Sequence, residues 1–227
     1  MTKILAIDTS TDACSAALLF DNKNHHRFVV APRQHTKFIL PMIHELLTEA
    51  QLDLNQLDAI AFGCGPGSFT GIRLAASITQ GLAFVANLPV IKISSLRALA
   101  QEVFVTLAKE KVLVAQDARM QEIYWGEYQI DATFIMQAIV PDQLLAPMQV
   151  KTPTDAGFTG IGNAWKIYDD ILTKRCNIPL IESKAYPRAQ YIAQLAAADF
   201  AKGLTVSAME ALPVYLREEV AWVNTLR

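Results

Sequence analysis

The stretch Gly65-Pro66-Gly67-Ser68-Phe69-Thr70-Gly71-Ile72-Arg73 has the residue types needed to hold an anion. An apolar run at 57–63 reads as a buried strand ahead of it, and a helix-like run at 72–85 follows. A glycine-rich turn between a strand end and a helix start leaves backbone N–H groups free to face a phosphate. The first apolar run, Ile4-Leu5-Ala6-Ile7, ends in Asp8-Thr9-Ser10-Thr11, an acid with three hydroxyls. Asp8, Thr9, Ser10, Gly65 and Gly67 are therefore the candidates for contact with a nucleotide or phosphate. The same residues have a structural reading. Glycines serve tight turns and close packing, Ser68 or Thr70 can cap the helix, and Thr9-Ser10-Thr11 holds no glycine that would let phosphate reach the backbone. The loop is neither a Walker loop, lacking Gly-Lys-Ser/Thr, nor a dinucleotide fingerprint of correct spacing.

No catalytic set stands out. His35 and His44 lie nine residues apart rather than the three or four that align two ligands on one helix face, and no HExxH is present. Ser94-Ser95 has no histidine near it in sequence. Arg73, Arg97, Arg119 and Arg188 are scattered, the usual pattern of ion-pair arginines. The three cysteines, Cys14, Cys64 and Cys176, are odd in number and far apart, which argues against a disulfide framework and points to a reducing compartment. A formal net charge of −2 supplies no overall field for nucleic acid. The N-terminus lacks a basic, apolar leader, and no run looks as long as the ~18 apolar residues of a membrane span. A cytoplasmic protein is expected.

The elements that must position these residues follow a repeating order. Strands are expected at 3–7, 13–20 and 26–30, then a helix at 38–50 with Pro41 in its first turn or bending it. A strand at 57–63, a helix at 71–86, a strand at 88–93 and a helix at 95–109 follow. After residue 111 the order begins again, with strands at 112–117, 122–130 and 132–140. Pro141 and Pro147 then mark loops, 157–165 is a glycine loop, and helices run to about 174 and over 191–201. This is the order of ribonuclease-H-like domains, the unit of the actin and Hsp70 ATPases. The expected fold class is α/β with two such domains, the second degenerate. The expected boundaries are 1–108 and 109–227, with a last helix able to pack back on the first domain.

The helix after the glycine loop carries one charge, Arg73, in the sixteen residues 71–86. A helix apolar nearly all round is buried in a core or against a partner. The 36–50 helix also has a wide apolar face. Phe38, Met42, Leu46, Ile72, Ala75, Ala76 and Thr79 are the candidates for a partner surface, with Ala75 and Ala76 small enough for close approach.

Several segments together resemble one family. They are Ile4 to Thr11, His35 with Leu40-Pro41, the Gly65 to Arg73 block, Gly81-Leu82-Ala83, Asp117-Ala118-Arg119 and Pro213-Val214-Tyr215-Leu216-Arg217. The chain is similar over its length to the TsaB (YeaZ) family, the non-catalytic partners of TsaD. The resemblance implies a subunit required when TsaD transfers threonylcarbamoyl to the adenosine beside the anticodon of tRNAs reading codons that begin with A. It implies a heterodimer with TsaD joined by the ATPase TsaE, a homodimer through the same helical face when alone, tRNA contact only through the complex, and no membrane. No cofactor is tightly bound on this reading; an adenine nucleotide at the TsaD interface is left open. TsaD-like proteins carry a metal-binding His-x-x-x-His where this chain has Ser95 and Leu99, so no catalytic residue and no metal site carry over. The alternative is an independent small ATPase or a glycoprotease-like peptidase. Ser95 and Leu99 lack the imidazole ligands that iron or zinc requires. Purified protein should therefore contain no stoichiometric transition metal; elemental analysis finding one tightly held ion per chain would overturn this.

Overall fold

The computed structural model describes residues 2–217 apart from 22, 154 and 182–184; the last ten positions of the expected second domain, 218–227, lie outside the described residues. The first sheet has five strands, β1 (Ile4–Asp8), β2 (Ala13–Phe20), β3 (Lys23–Val30), β4 (Ala59–Gly65) and β5 (Val90–Ser94), in the order β3-β2-β1-β4-β5. β1–β2 and β2–β3 are antiparallel, whereas β1–β4 and β4–β5 are parallel. The buried strands β1 and β4 are covered on both faces, which is why they read as continuous apolar runs.

Helices α1 (His35–Ala50) and α2 (Phe69–Ala86) cover one face. Their inward residues, Ile39, Met42, Ile43, Leu46, Ala75, Ala76 and Ala83, join Leu5, Ile7, Leu18 and Phe62 in one core cluster. Pro41 lies inside α1 beyond its first turn, on the exposed side. α3 (Ser95–Leu107) starts directly from β5, with the Ser94 hydroxyl accepting from the amides of Leu96 and Arg97.

The second sheet repeats the pairing in shortened form. Strands β6 (Lys111–Arg119), β7 (Glu122–Ile130), β8 (Met136–Leu145) and β9 (Phe158–Ile161) stand in the order β8-β7-β6-β9. Again the first pairs are antiparallel and β6–β9 is parallel. The helix that precedes the fourth strand in the first half is reduced here to a short turn at Pro147–Gln149. Two short helices follow, α4 (Ala164–Ile167) and α5 (Asp169–Cys176). This is the duplicated ribonuclease-H-like arrangement with a degenerate second copy. The last α-helix among the described residues, α6 (Ala189–Ala201), returns to the first sheet, where Ile192, Ala193, Leu195 and Ala196 pack on Ile4, Ala6, Ala59 and Ala61.

Two expectations are corrected in the second half. The third strand does not end at residue 140: Pro141 lies within β8, on the edge of its sheet and at a register shift against β7, where no ladder N–H is required. The glycine run near 157 is not all loop. Phe158–Ile161 forms β9, and Gly160 has no side chain because a Cβ there would lie 2.8 Å from the Trp165 ring. α2 also passes a length-and-composition test for a membrane span, unlike the reading from runs alone; its inward residues pack on the sheet.

Within α2 two glycines have opposite duties. A Cβ on Gly71 would lie 2.0 Å from the Thr9 carbonyl oxygen, whereas one on Gly81 meets nothing within 4 Å. Gly71→Ala is expected to cost about 3 kcal/mol or more through forced backbone displacement. Gly81→Ala is expected to stabilise by about 0.5–1 kcal/mol through helix propensity. Urea unfolding of both variants checks the pair, and equal effects would refute the packing role of Gly71.

Candidate functional site

The structure brings Asp8, Thr9, Ser10, Gly65 and Gly67 together at the C-terminal ends of β1 and β4. They bond chiefly to one another. The Thr9 hydroxyl donates to the Gly71 carbonyl at 2.7 Å, and the Ser68 amide donates to the Ser10 carbonyl at 2.7 Å. A Cβ on Gly67 would come within 2.4 Å of that Ser10 oxygen. The Ser68 hydroxyl caps α2 by accepting from the Gly71 amide. The loop glycines thus admit the β1–β2 turn, and the Ser68 amide that could face a phosphate is used internally. Of the two readings of this motif, packing accounts for each of these contacts.

Asp8 is fully buried. Its Oδ1 accepts from the Ser10 amide at 3.0 Å and the Ser10 hydroxyl at 2.9 Å, while Oδ2 has no partner among the described residues. A Cβ on Gly63 would fall 1.8 Å from Oδ2, so glycine is the residue that leaves room for the carboxyl. Burial raises the Asp8 pKa from 3.8 to about 7, against the lowering effect of the Ser10 hydrogen bonds. Burial also pushes the Cys14 and Cys64 thiols up to about 12 and Cys176 up to about 11, which leaves all three poor nucleophiles.

Between the two halves lies a cavity of about 520 Å³. The turns at Ser10 and Gly67 wall it on one side, and Asp117, Asn163 and Tyr124 on the other. A tail segment, 213–217, straps its mouth. The Val214 amide donates to the Cys64 carbonyl at 2.8 Å, and Arg217 bonds the Glu122 carboxylate and the Arg119 carbonyl of the second half. A Cβ on Gly65, whose φ is +109°, would lie 2.9 Å from the Val214 oxygen. Arg73 donates to the Tyr215 hydroxyl at 2.7 Å and lies 3.6 Å over the Phe69 ring. The strap's contacts escaped a residue-by-residue reading; the only signal was the Pro213 to Arg217 segment as part of a resemblance.

The helical face requires a correction. Ile72, Ala75, Ala76 and Thr79 are buried against the sheet, as are Met42 and Leu46 of α1, while Phe38 is half-buried. The tight contact with the sheet is what demands small residues at 75 and 76. The outward stripe of α2 consists instead of Ser77 and Gly81, exposed, beside half-buried Leu74, while Ile78 and Leu82 are half-buried against the core. Phe84 and Val85 finish it at 74% and 79% exposure. Leu40 of α1 is also exposed. So α2 is apolar outward as well as inward, but through residues other than those singled out. Ser95 and Leu99 are buried on α3, and the His35 ring is tied to the Thr11 carbonyl at 2.7 Å.

Comparison with known proteins places this geometry. A family model described as TsaD, tRNA N6-adenosine threonylcarbamoyltransferase, matches residues 29–225. A protein of Haemophilus influenzae named tRNA threonylcarbamoyladenosine biosynthesis protein TsaB is 43% identical, covering 96% of this chain and 95% of the relative. The chain belongs to the TsaB family. The Escherichia coli TsaB is 40% identical over 97% of this chain and 96% of its own length. The solved structure of YeaZ from Pseudomonas aeruginosa superposes with a TM-score of 0.89 at 42% identity, covering 95% of this chain and all of that one.

The Asp8 carboxyl gives a testable pH dependence. Unfolded, it ionises near pH 3.8; folded, it keeps its proton to about pH 7. The unfolded state therefore releases a proton first, and stability falls as pH rises between these values. A shift from 3.8 to about 7 corresponds to a loss of about 4 kcal/mol, complete above pH 7. Asp8→Asn removes this slope, so its stability relative to the parent should rise by about that amount between pH 4 and pH 8. Parallel denaturation curves across this range for parent and variant would overturn the assignment.

Proposed function

We propose that this chain is a non-catalytic subunit of the cytoplasmic machinery that makes threonylcarbamoyladenosine in tRNA, and that it acts by dimerising with TsaD. The observation that carries the reading is the second apolar side of α2. One face of the helix, with Ile78 and Leu82 at its margin, is spent on its own core, yet Leu74, Phe84 and Val85 continue an apolar stripe outward beside the small residues Ser77 and Gly81. Such a stripe is costly to leave in water and suits a partner helix lying close along it. Membership of the TsaB family, with the match to the TsaD model, supports TsaD as that partner.

On this proposal TsaD carries out the transfer to the adenosine beside the anticodon, in tRNAs reading codons that begin with A. TsaE joins the pair, the chain alone forms a homodimer through the same face, and tRNA meets it only within the complex. Any adenine nucleotide would sit at the boundary with TsaD. The packed glycine loop favours this over an independent ATPase, because the Ser10 carbonyl holds the Ser68 amide. The buried thiols argue against a peptidase in the same way, as do the Ser94 hydroxyl, bonded to Asp142 and Tyr128, and the Ser95 hydroxyl, which has no partner among the described residues.

Arginine at the outward positions tests the proposal. Gly81→Arg and Ser77→Arg place a charge where the chain alone is exposed, so both should fold. An unpaired charge forced into the contact costs on the order of 3–5 kcal/mol. Both variants should elute as folded monomers, fail to capture TsaD, and fail to support modification in a reconstituted assay. Two folded variants that bind TsaD with parental affinity would place the interface elsewhere.

A further inference from the structure

The cavity between the halves is not used by the dimer reading. We infer that it is a binding site for a small molecule carrying one oxyanion, a carboxylate or phosphate monoester, on a flat ring. Its volume of about 520 Å³ falls within the range of small-molecule sites. Ser95 lines it, and the Ser95 hydroxyl is buried without a hydrogen-bond partner among the described residues. A buried hydroxyl left unpaired is a standing cost, which a ligand oxygen would remove.

Ser95 is the first residue of α3, whose thirteen residues direct the positive end of their summed dipole at the same place. Ser94 already takes the Leu96 and Arg97 amides, so the Ser95 hydroxyl is the side-chain donor that remains on offer. The opposite wall offers a donor as well. Asn163 uses its side-chain oxygen to accept from the Asp117 amide, which leaves its NH₂ group unused by the described residues. Asp117, the acid nearest to it, is already paired with Arg119 at 3.2 Å and accepts from the Tyr168 hydroxyl. Phe69, Tyr124, Tyr186 and Tyr215 supply flat surfaces for a ring. Exposed Asp12 on the lining disfavours a highly charged ligand. The Thr9 and Ser10 carbonyls sit against Gly71 and Gly67, so those glycines offer no gap for a phosphate chain.

The test uses the full chain alone, followed by amide NMR, with phenyl phosphate and benzoate as ring oxyanions. Inorganic phosphate and benzyl alcohol each lack one half of the ligand. At least one ring oxyanion should give saturable shifts at Ser95, Leu96 and Asn163, at concentrations about tenfold below either half-ligand. Phenyl phosphate alone would assign a phosphate monoester, and benzoate alone a carboxylate. Ser95→Ala removes the unpaired hydroxyl, so its unfolding temperature should be unchanged or higher while its affinity falls about tenfold. Shifts confined to surface residues, no saturation at millimolar ligand, or an unchanged affinity in Ser95→Ala would each overturn the site. Gly81→Arg should bind these probes as the parent does, so this inference and the dimer reading fail separately.

Discussion

The seating of the glycine loop on the turn after β1 is the constraint on which the rest of the molecule depends. Two backbone carbonyls, of Thr9 and Ser10, press into positions where any side chain would collide, at Gly71 and Gly67. Two hydrogen bonds lock that approach, from the Thr9 hydroxyl and the Ser68 amide. Since Ser68 also caps α2, the contact fixes where the helix begins and which side faces the sheet. Small residues at 75, 76 and 83 then let the helix settle on β4. Every property of the outward stripe follows from that rotation. The strap at 213–217 depends on it too, because Arg73 and Phe69, the residues it stacks on, sit on the first turns of the same helix.

A second set of contacts joins the halves. Arg97 of α3 pairs with Asp199 of α6 at 2.6 Å and donates to the Met136 carbonyl of β8 at 2.7 Å. Asp142 of β8 accepts from the Ser94 hydroxyl and the Tyr128 hydroxyl. These groups are largely buried, and a buried ion pair is weak evidence of net stability. Its consequence is directional: losing one partner would leave a charge stranded, so only a narrow range of arrangements satisfies all of them. The cavity keeps its shape because its walls are tied at the back by this network and at the front by the strap.

Much of the architecture was legible because the elements have strong local causes. The alternation of apolar runs with Gly, Pro and Asn turns marks β1 to α3 within a few residues, and Asn87 and Gln51 close α2 and α1 in the left-handed conformation that ends helices. Of the four scattered arginines, Arg97, Arg119 and Arg188 form ion pairs, whereas Arg73 bonds the Tyr215 hydroxyl and lies over the Phe69 ring. The orientation of α2 was not legible. An apolar residue on a nearly uniform helix gives no periodic signal, so Ala75 and Phe84 look equivalent until the sheet selects a face. Pro141 misled for a related reason: whether proline is tolerated depends on edge position and register, which are long-range facts. The unpaired Ser95 hydroxyl, likewise, is defined by what is missing around it.

The duplication explains why chemistry is distributed unevenly between the halves. Each first strand carries an acid at or near its C-terminal end, Asp8 or Asp117, and each fourth strand is followed by glycine pressed against the first strand or the turn after it. A Cβ on Gly162 would lie 2.0 Å from the Ala115 carbonyl oxygen, as one on Gly71 would from that of Thr9. The first half has closed this arrangement completely: Asp8 is sealed over Gly63, and burial holds its proton to about pH 7. The second half has not closed. Its missing helix leaves β9 short, Asn163 follows directly, and Asp117 answers to side chains at the cavity wall. A half that is sealed makes a firm base for α2, whereas the other half keeps Asp117 and Asn163 at the cavity wall. The same sequence order, closed once and left open once, therefore separates the outward side of α2 from the cavity.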